Sequence, residues 1–165
     1  MVDSRRRSFL RGEVRSVIAA EATDVPRPPW SLRPDTAFTE RCTRCGDCMR
    51  ACPRGVLSAG DGGFPRISFE AVGCSLCGDC AKACPTRAID PVANPIAFVW
   101  RVRIDERCLN RRGVECRVCG DACDARALRC VPARGGIARL QVDTTACTGC
   151  GDCVAVCPVD AIALR

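Results

Sequence analysis

"CTRCGDCMRACP", residues 42–53, decides how this chain is to be read. Cys42, Cys45 and Cys48 stand two residues apart, Cys52 follows after three more, and Pro53 closes the group. The spacing returns as "CSLCGDCAKACP" (74–85), with Cys74, Cys77, Cys80, Cys84 and Pro85. It returns again as "CTGCGDCVAVCP" (147–158), with Cys147, Cys150, Cys153, Cys157 and Pro158.

C-x₂-C-x₂-C-x₃-C-P is the bacterial pattern for ligation of [4Fe–4S] clusters. Three cysteines at two-residue intervals wrap a loop around one cubane, so that each thiolate reaches a different iron. Gly46, Gly78 and Gly151 are expected to let backbone amides approach the cluster sulfurs, and such hydrogen bonds tune potential. The x₃ step predicts a short helix that carries the fourth cysteine towards a neighbouring cluster, and proline keeps the chain from continuing as helix. One copy could equally be a zinc knuckle; three point to iron–sulfur rather than zinc.

A further group departs from the pattern. "CLNRRGVECRVCGDACDA" (108–125) sets seven residues between Cys108 and Cys116, which Cys119 and Cys123 follow. Aligned on the recurring "CGD", it would put Ala122 and Arg126 where the third and fourth ligands belong. Aligned on its last two steps, it keeps four cysteines and carries a five-residue insertion after the first. Counting decides for the second alignment, because four groups of four then account for 16 of the 17 cysteines. Cys130, on the strand-like stretch "ALRCV", is left over. It reads as a spare thiol packed as a small hydrophobe, with a redox or substitute-ligand role as the alternative.

Seventeen cysteines in 165 residues imply either a secreted disulfide scaffold or a metalloprotein of a reducing compartment. Their odd number and tight clustering favour the metalloprotein. The formal charge of +6 does not indicate nucleic-acid binding, because the basic residues (Lys82 the only lysine) are scattered among 19 acidic ones and aromatics are few. Four [4Fe–4S]²⁺ units, each with four thiolates, would bring the loaded chain to about −2. No stretch approaches the ~18 apolar residues of a membrane span. With no histidine, no catalytic triad and no nucleotide-binding glycine loop, nothing points to an enzyme.

The start of the chain looks like an address. "SRRRSFLRGE" (4–13) resembles a twin-arginine export signal, and Ala20-Glu21-Ala22 fits the small-x-small cleavage rule. The apolar stretch between them is missing, since Glu13 and Arg15 interrupt it and the longest uncharged run, Ser16–Ala20, has five residues. Export is therefore not expected. Leu10, Val14, Val17 and Ile18 recur instead at helical spacing, with Arg11 and Arg15 off the apolar face. "PRPPWSLRP" (26–34) reads as a stiff polyproline-like strap, either packed against the next unit or docking a partner.

Hairpin signals separate the paired groups. "VLSAGDGGFPRISF" (56–69) sets Gly60, Asp61, Gly62 and Gly63 between two short strands, and "ALRCVPARGGIARLQV" (127–142) repeats the design around Gly135-Gly136. "FVWRVRI" (98–104) and the terminal "AIALR" (161–165) read as a strand pair closing a unit. The expected fold is α+β: a tandem pair of bacterial two-[4Fe–4S] ferredoxin-like units with an extended N-terminal segment. Residues 1–37 are the basic, proline-rich segment, 38–92 the first unit and 93–165 the second. Loops this small bury too little carbon to hold alone, so metal ligation must supply the rest.

The ordered set is more specific than its parts. A short basic start, "RPPWS" (Arg27–Ser31), two regular groups, a C-x₇-C-x₂-C-x₃-C group and a final regular one resemble, over essentially the whole chain, the NapF family of ferredoxin-type proteins of the periplasmic nitrate reductase system. The chain departs from the regular motif in having Asp124, not proline, after Cys123. The resemblance implies a cytoplasmic accessory role: contact with the precursor of the molybdenum-containing catalytic subunit and help in its maturation before export. By the ferredoxin pattern the fourth cysteine crosses over. This assigns Cys42, Cys45, Cys48 and Cys84 to one cluster, and Cys74, Cys77, Cys80 and Cys52 to a second. It assigns Cys108, Cys116, Cys119 and Cys157 to a third, and Cys147, Cys150, Cys153 and Cys123 to a fourth. An electron-transfer subunit of a larger molybdenum oxidoreductase is the alternative function, and a structural zinc protein a more distant one.

Overall fold

The computed structural model describes residues 26–133 and 135–165. The arginine stretch at 4–13 and the helix expected around Leu10, Val14, Val17 and Ile18 lie outside the described residues.

Each cysteine group folds into the same local unit. A single helical turn carries its third cysteine as second residue: α2 (Asp47–Arg50), α3 (Asp79–Lys82), α4 (Val118–Asp121) and α5 (Asp152–Ala155). α1 (Asp35–Arg41) precedes them all and buries Phe38. In the regular groups the residue before the helix is Gly46, Gly78 or Gly151, at φ +79°, +81° and +87°. That left-handed conformation is cheap only for glycine.

Past the fourth cysteine the chain turns through a left-handed residue, always three positions on: Gly55, Arg87, Arg126 and Asp160. The amide of each donates to the carbonyl of its cysteine, at 3.2, 3.3, 2.9 and 3.4 Å. The two residues that follow are buried in every copy: Val56-Leu57, Ala88-Ile89, Ala127-Leu128 and Ala161-Ile162. The irregular group therefore makes the same turn with Asp124 in place of proline. The structure also sides with its alignment on the last two steps, since Cys119 occupies the helix position of Cys48.

The turns feed short antiparallel pairs. β1 (Leu57–Ala59) pairs with β2 (Pro65–Ile67) across a 3₁₀ turn at Asp61–Gly63, and β4 (Leu128–Val131) with β5 (Arg139–Val142). These are the two hairpins expected from the glycine clusters. β3 (Val102–Ile104) pairs with β6 (Ile162–Leu164), closing the second half as expected. The strand starts only at Val102, because Phe98 and Trp100 are drawn into an aromatic contact described below.

The corresponding closure in the first half is made by the proline-rich strap. Ser31 bridges Ile89, the Leu32 amide donates to the Ala88 carbonyl at 3.0 Å, and the Asp90 amide donates to the Trp30 carbonyl at 3.0 Å. Pro28 and Pro29 are fully buried. Two adjacent prolines offer no amides, which limits this edge to a bridge rather than a strand.

Two small cores result. Phe38, Val56, Leu57, Ile67, Ala88, Ile89 and Phe98 form one with their neighbouring cysteines; Val102, Ile104, Leu128, Ala161 and Ile162 form the other. Where the halves meet, Phe69 stands edge-on to Phe98 and Trp100 at 6.1 and 6.2 Å, while Phe98 and Trp100 stack at 4.7 Å. Trp100 Nε1 donates to the Gly149 carbonyl at 2.8 Å. The Cys74 amide donates to the Cys150 carbonyl at 2.7 Å, so a cysteine loop of one half touches a cysteine loop of the other.

Gly73 permits that approach. A Cβ there would overlap the Asp152 amide and lie 2.7 Å from the Cys150 carbonyl oxygen, both rigid backbone. Gly73→Ala is expected to lower stability by at least the ~1–3 kcal/mol of an overpacked site, read as a fall in the denaturation midpoint of the loaded chain. Among the described residues no helix is long and apolar enough to cross a membrane.

Candidate metal centres

The short helices and the turns after them aim the thiols inward, and three voids form where they meet. The first is lined by Cys42, Cys45, Cys48 and Cys84, with walls from Phe38, Pro65, Ala88 and Ile89. The second is lined by Cys52, Cys74, Cys77 and Cys80, with Pro29, Trp30, Val56 and Leu57. Cys123, Cys147, Cys150 and Cys153 line another, with Val102, Ala127 and Leu128.

In every case three thiols come from one group and the fourth from its partner, after that partner's helix has carried it across. Among the described residues no three such side chains converge tightly enough for a single metal ion; the thiols ring a space instead. Four soft sulfur donors around a space with apolar walls suit a thiolate-held iron–sulfur group.

The remaining cysteines gather around Cys119. Burial, then the thiols of Cys130, Cys108, Cys116 and Cys157, push its ionisation up to about 11. The Ala161 amide lies 3.3 Å from Cys157 Sγ, the distance of an N–H···S hydrogen bond. Cys108 and Cys119 are buried in the second core with Cys157 packed against it, and Cys116 and the leftover Cys130 lie near enough to act on Cys119. Cys130 is half-buried, its Sγ 4.0 Å from the Cys116 carbonyl, and burial first of all raises its pKa. Sequence reasoning placed Cys130 on a strand but not against this group; the hairpin register that puts Leu140 opposite Cys130 is the signal that does so. Cys130→Ser is expected to leave iron content unchanged, because the other four thiols complete the set. Loss of about 4 iron atoms per chain, one cubane, would make Cys130 a ligand.

The five-residue insertion is built into the hairpin. Asn110 Nδ2 donates to the carbonyls of Cys116 (3.3 Å) and Ala138 (2.7 Å), while its Oδ1 accepts from the Leu140 amide at 2.9 Å. The Ala138 amide donates to Glu115 at 3.3 Å. One side chain therefore ties Cys116 to β5.

Burial keeps these thiols protonated unless a cation takes the proton's place. Burial is the leading reason that Cys48 and Cys74 are pushed up to about 11, and Cys80 and Cys153 to about 12. Neighbouring thiols add to the effect at each. Thiolates so placed need a cation to hold them, which is what iron supplies. Cys45 and Cys77 are exposed, so the first two voids open to solvent at those residues.

Comparison with known proteins points to iron–sulfur binding. A "4Fe-4S dicluster domain" family matches residues 41–88, and a "4Fe-4S binding domain" family matches residues 140–163. The chain is 42% identical to the ferredoxin-type protein NapF of Haemophilus influenzae over 165 residues, covering 97% of this chain and 93% of that protein. Identity to NapF of Escherichia coli K12 is 38% over 161 residues, covering 98% and 94%. The methylamine utilization ferredoxin-type protein MauM of Methylophilus methylotrophus is 34% identical over 163 residues, covering 88% and 72%.

Proposed function

This chain belongs to the NapF family of ferredoxin-type iron–sulfur proteins, and from that premise we propose that it is a four-cluster accessory protein that serves the periplasmic nitrate reductase from the cytoplasm. It consists of two two-cluster units behind an N-terminal segment. Cys42, Cys45, Cys48 and Cys84 hold one [4Fe–4S] group; Cys74, Cys77, Cys80 and Cys52 hold a second. Cys108, Cys116, Cys119 and Cys157 hold a third; Cys147, Cys150, Cys153 and Cys123 hold a fourth. The observation that carries this reading is the sharing of thiols between groups around each of the three voids.

Bound there, [4Fe–4S] groups supply one-electron redox chemistry. The chain's own contribution is to hold the thiols inward, wall them with apolar side chains and leave Cys45 and Cys77 at the surface, where a partner can approach. It performs no substrate chemistry of its own. Its task is to assist maturation of the catalytic subunit, by delivering electrons or clusters, before that subunit is exported.

A pull-down with the anaerobically purified holoprotein from cytoplasmic extract tests this. Capture of one large molybdoenzyme precursor is the expected result. A stoichiometric membrane-bound or multi-subunit enzyme complex containing the chain would overturn it in favour of an electron-transfer subunit.

A further inference from the structure

We propose that Arg54, clamped by Gly73 and paired with Asp152, sets the reduction potentials of the second and fourth cysteine groups together. The proposal rests on the reading that these groups hold [4Fe–4S] clusters.

Arg54 follows Cys52 and Pro53, so its backbone belongs to the turn that delivers a thiol to the second void, and the residue is part of that void's wall. Its Nη1 donates to the Gly73 carbonyl at 2.8 Å and to Asp152 Oδ1 at 2.7 Å. Gly73 immediately precedes Cys74. Asp152 lies between Cys150 and Cys153, and its Oδ1 also accepts from the Gly73 amide at 3.2 Å. With the Cys74 amide bonded to the Cys150 carbonyl, one arginine therefore sits at the seam of two cysteine loops that are 98 positions apart at Arg54 and Asp152.

The pair is partly sheltered, with 38% of the Arg54 side chain and 23% of the Asp152 side chain exposed. A surface ion pair in bulk water would count for little, but this one faces cysteines on both sides. A fixed positive charge favours the more negative, reduced state of any group beside it, and a fixed negative charge opposes it. Arg54 and Asp152 should therefore act on the same two groups with opposite sign.

That opposition separates an electrostatic role from a mechanical one. The test is a redox titration of the full-length, anaerobically purified chain followed by paramagnetic resonance, with iron and sulfide counted in each sample. Arg54→Gln is expected to keep wild-type iron content and to move two of the midpoint potentials to more negative values. Asp152→Asn should move the same two to more positive values, and Arg54→Lys, which keeps the charge, should shift them less than Arg54→Gln. If the two charge-removing variants move potentials in the same direction, move only one, or move none, the proposal is overturned. If Arg54→Gln fails to fold, the sign of the Asp152→Asn shift alone decides. A wild-type chain without [4Fe–4S] signals would overturn the cluster reading itself, an outcome visible before any variant is compared.

Discussion

Cys84→Ala strips iron from the group held by Cys42, Cys45 and Cys48 and leaves its own loop loaded. The expectation follows from the void that Cys84 lines, which it shares with those three thiols and with none of Cys74, Cys77 or Cys80. α3 turns the chain away from its own loop, and the left-handed residue Arg87 then commits it to the first core through Ala88 and Ile89. The loss should be up to about 4 iron atoms per chain, one cubane, or a change of the affected signal towards a three-iron type. Cys52→Ala should do the same to the group of Cys74, Cys77 and Cys80. Paramagnetic spectra of the reduced variants check both. Damage confined to the loop that contains the substituted residue would contradict the crossing.

Removing the iron should cost the chain its fold. The two cores are thin, the strands are three or four residues long, and isolated hairpins of that size are marginal in water. Metal ligation must then supply much of the folding free energy, as it does for small domains that are unfolded without their metal. Chelation under oxidising conditions is expected to abolish most of the far-ultraviolet dichroism in one transition. Retention of the native signal would mean that the protein core suffices.

The buried thiols add a pH dependence. Cys48, Cys74, Cys119, Cys80 and Cys153 rise from an ordinary value of 9.0 to about 11 or 12, so iron must displace protons from them. Reconstitution should therefore release protons and be more complete at about pH 9 than at about pH 7. The sign for any residual apo-structure is opposite. Neutral burial of these thiols contributes stability fully below pH 9.0, and that contribution is lost as pH rises through 11 to 12. Proton uptake on reconstitution would contradict the account.

The regular groups were legible because their spacing is a ligand geometry written along the chain. The irregular group was legible only by counting, and the left-handed turn at Arg126 explains why counting worked: the turn tolerates Asp124 where the others have proline. The seam between halves was not legible. Gly151 reads from the sequence as a place where amides approach the cluster sulfurs, yet a Cβ there would also collide with Phe69, and one at Gly149 would lie 2.7 Å from the Trp100 ring. Arg54 and Asp152 meet across 98 positions, a separation that no periodicity announces. The strap was half-legible. Its proline content marks a stiff segment, but only the contact with Ala88–Asp90 shows that Trp30–Leu32 is held there by a bridge and its flanking hydrogen bonds.

The central claim is that sixteen cysteines hold four [4Fe–4S] groups. Iron and acid-labile sulfide analysis of the chain purified without oxygen, read beside its visible spectrum, tests it most directly. The account predicts about 16 iron and about 16 sulfide per chain with broad visible absorption. Stoichiometric zinc without that absorption, or a reproducible plateau at about half the iron, would contradict it.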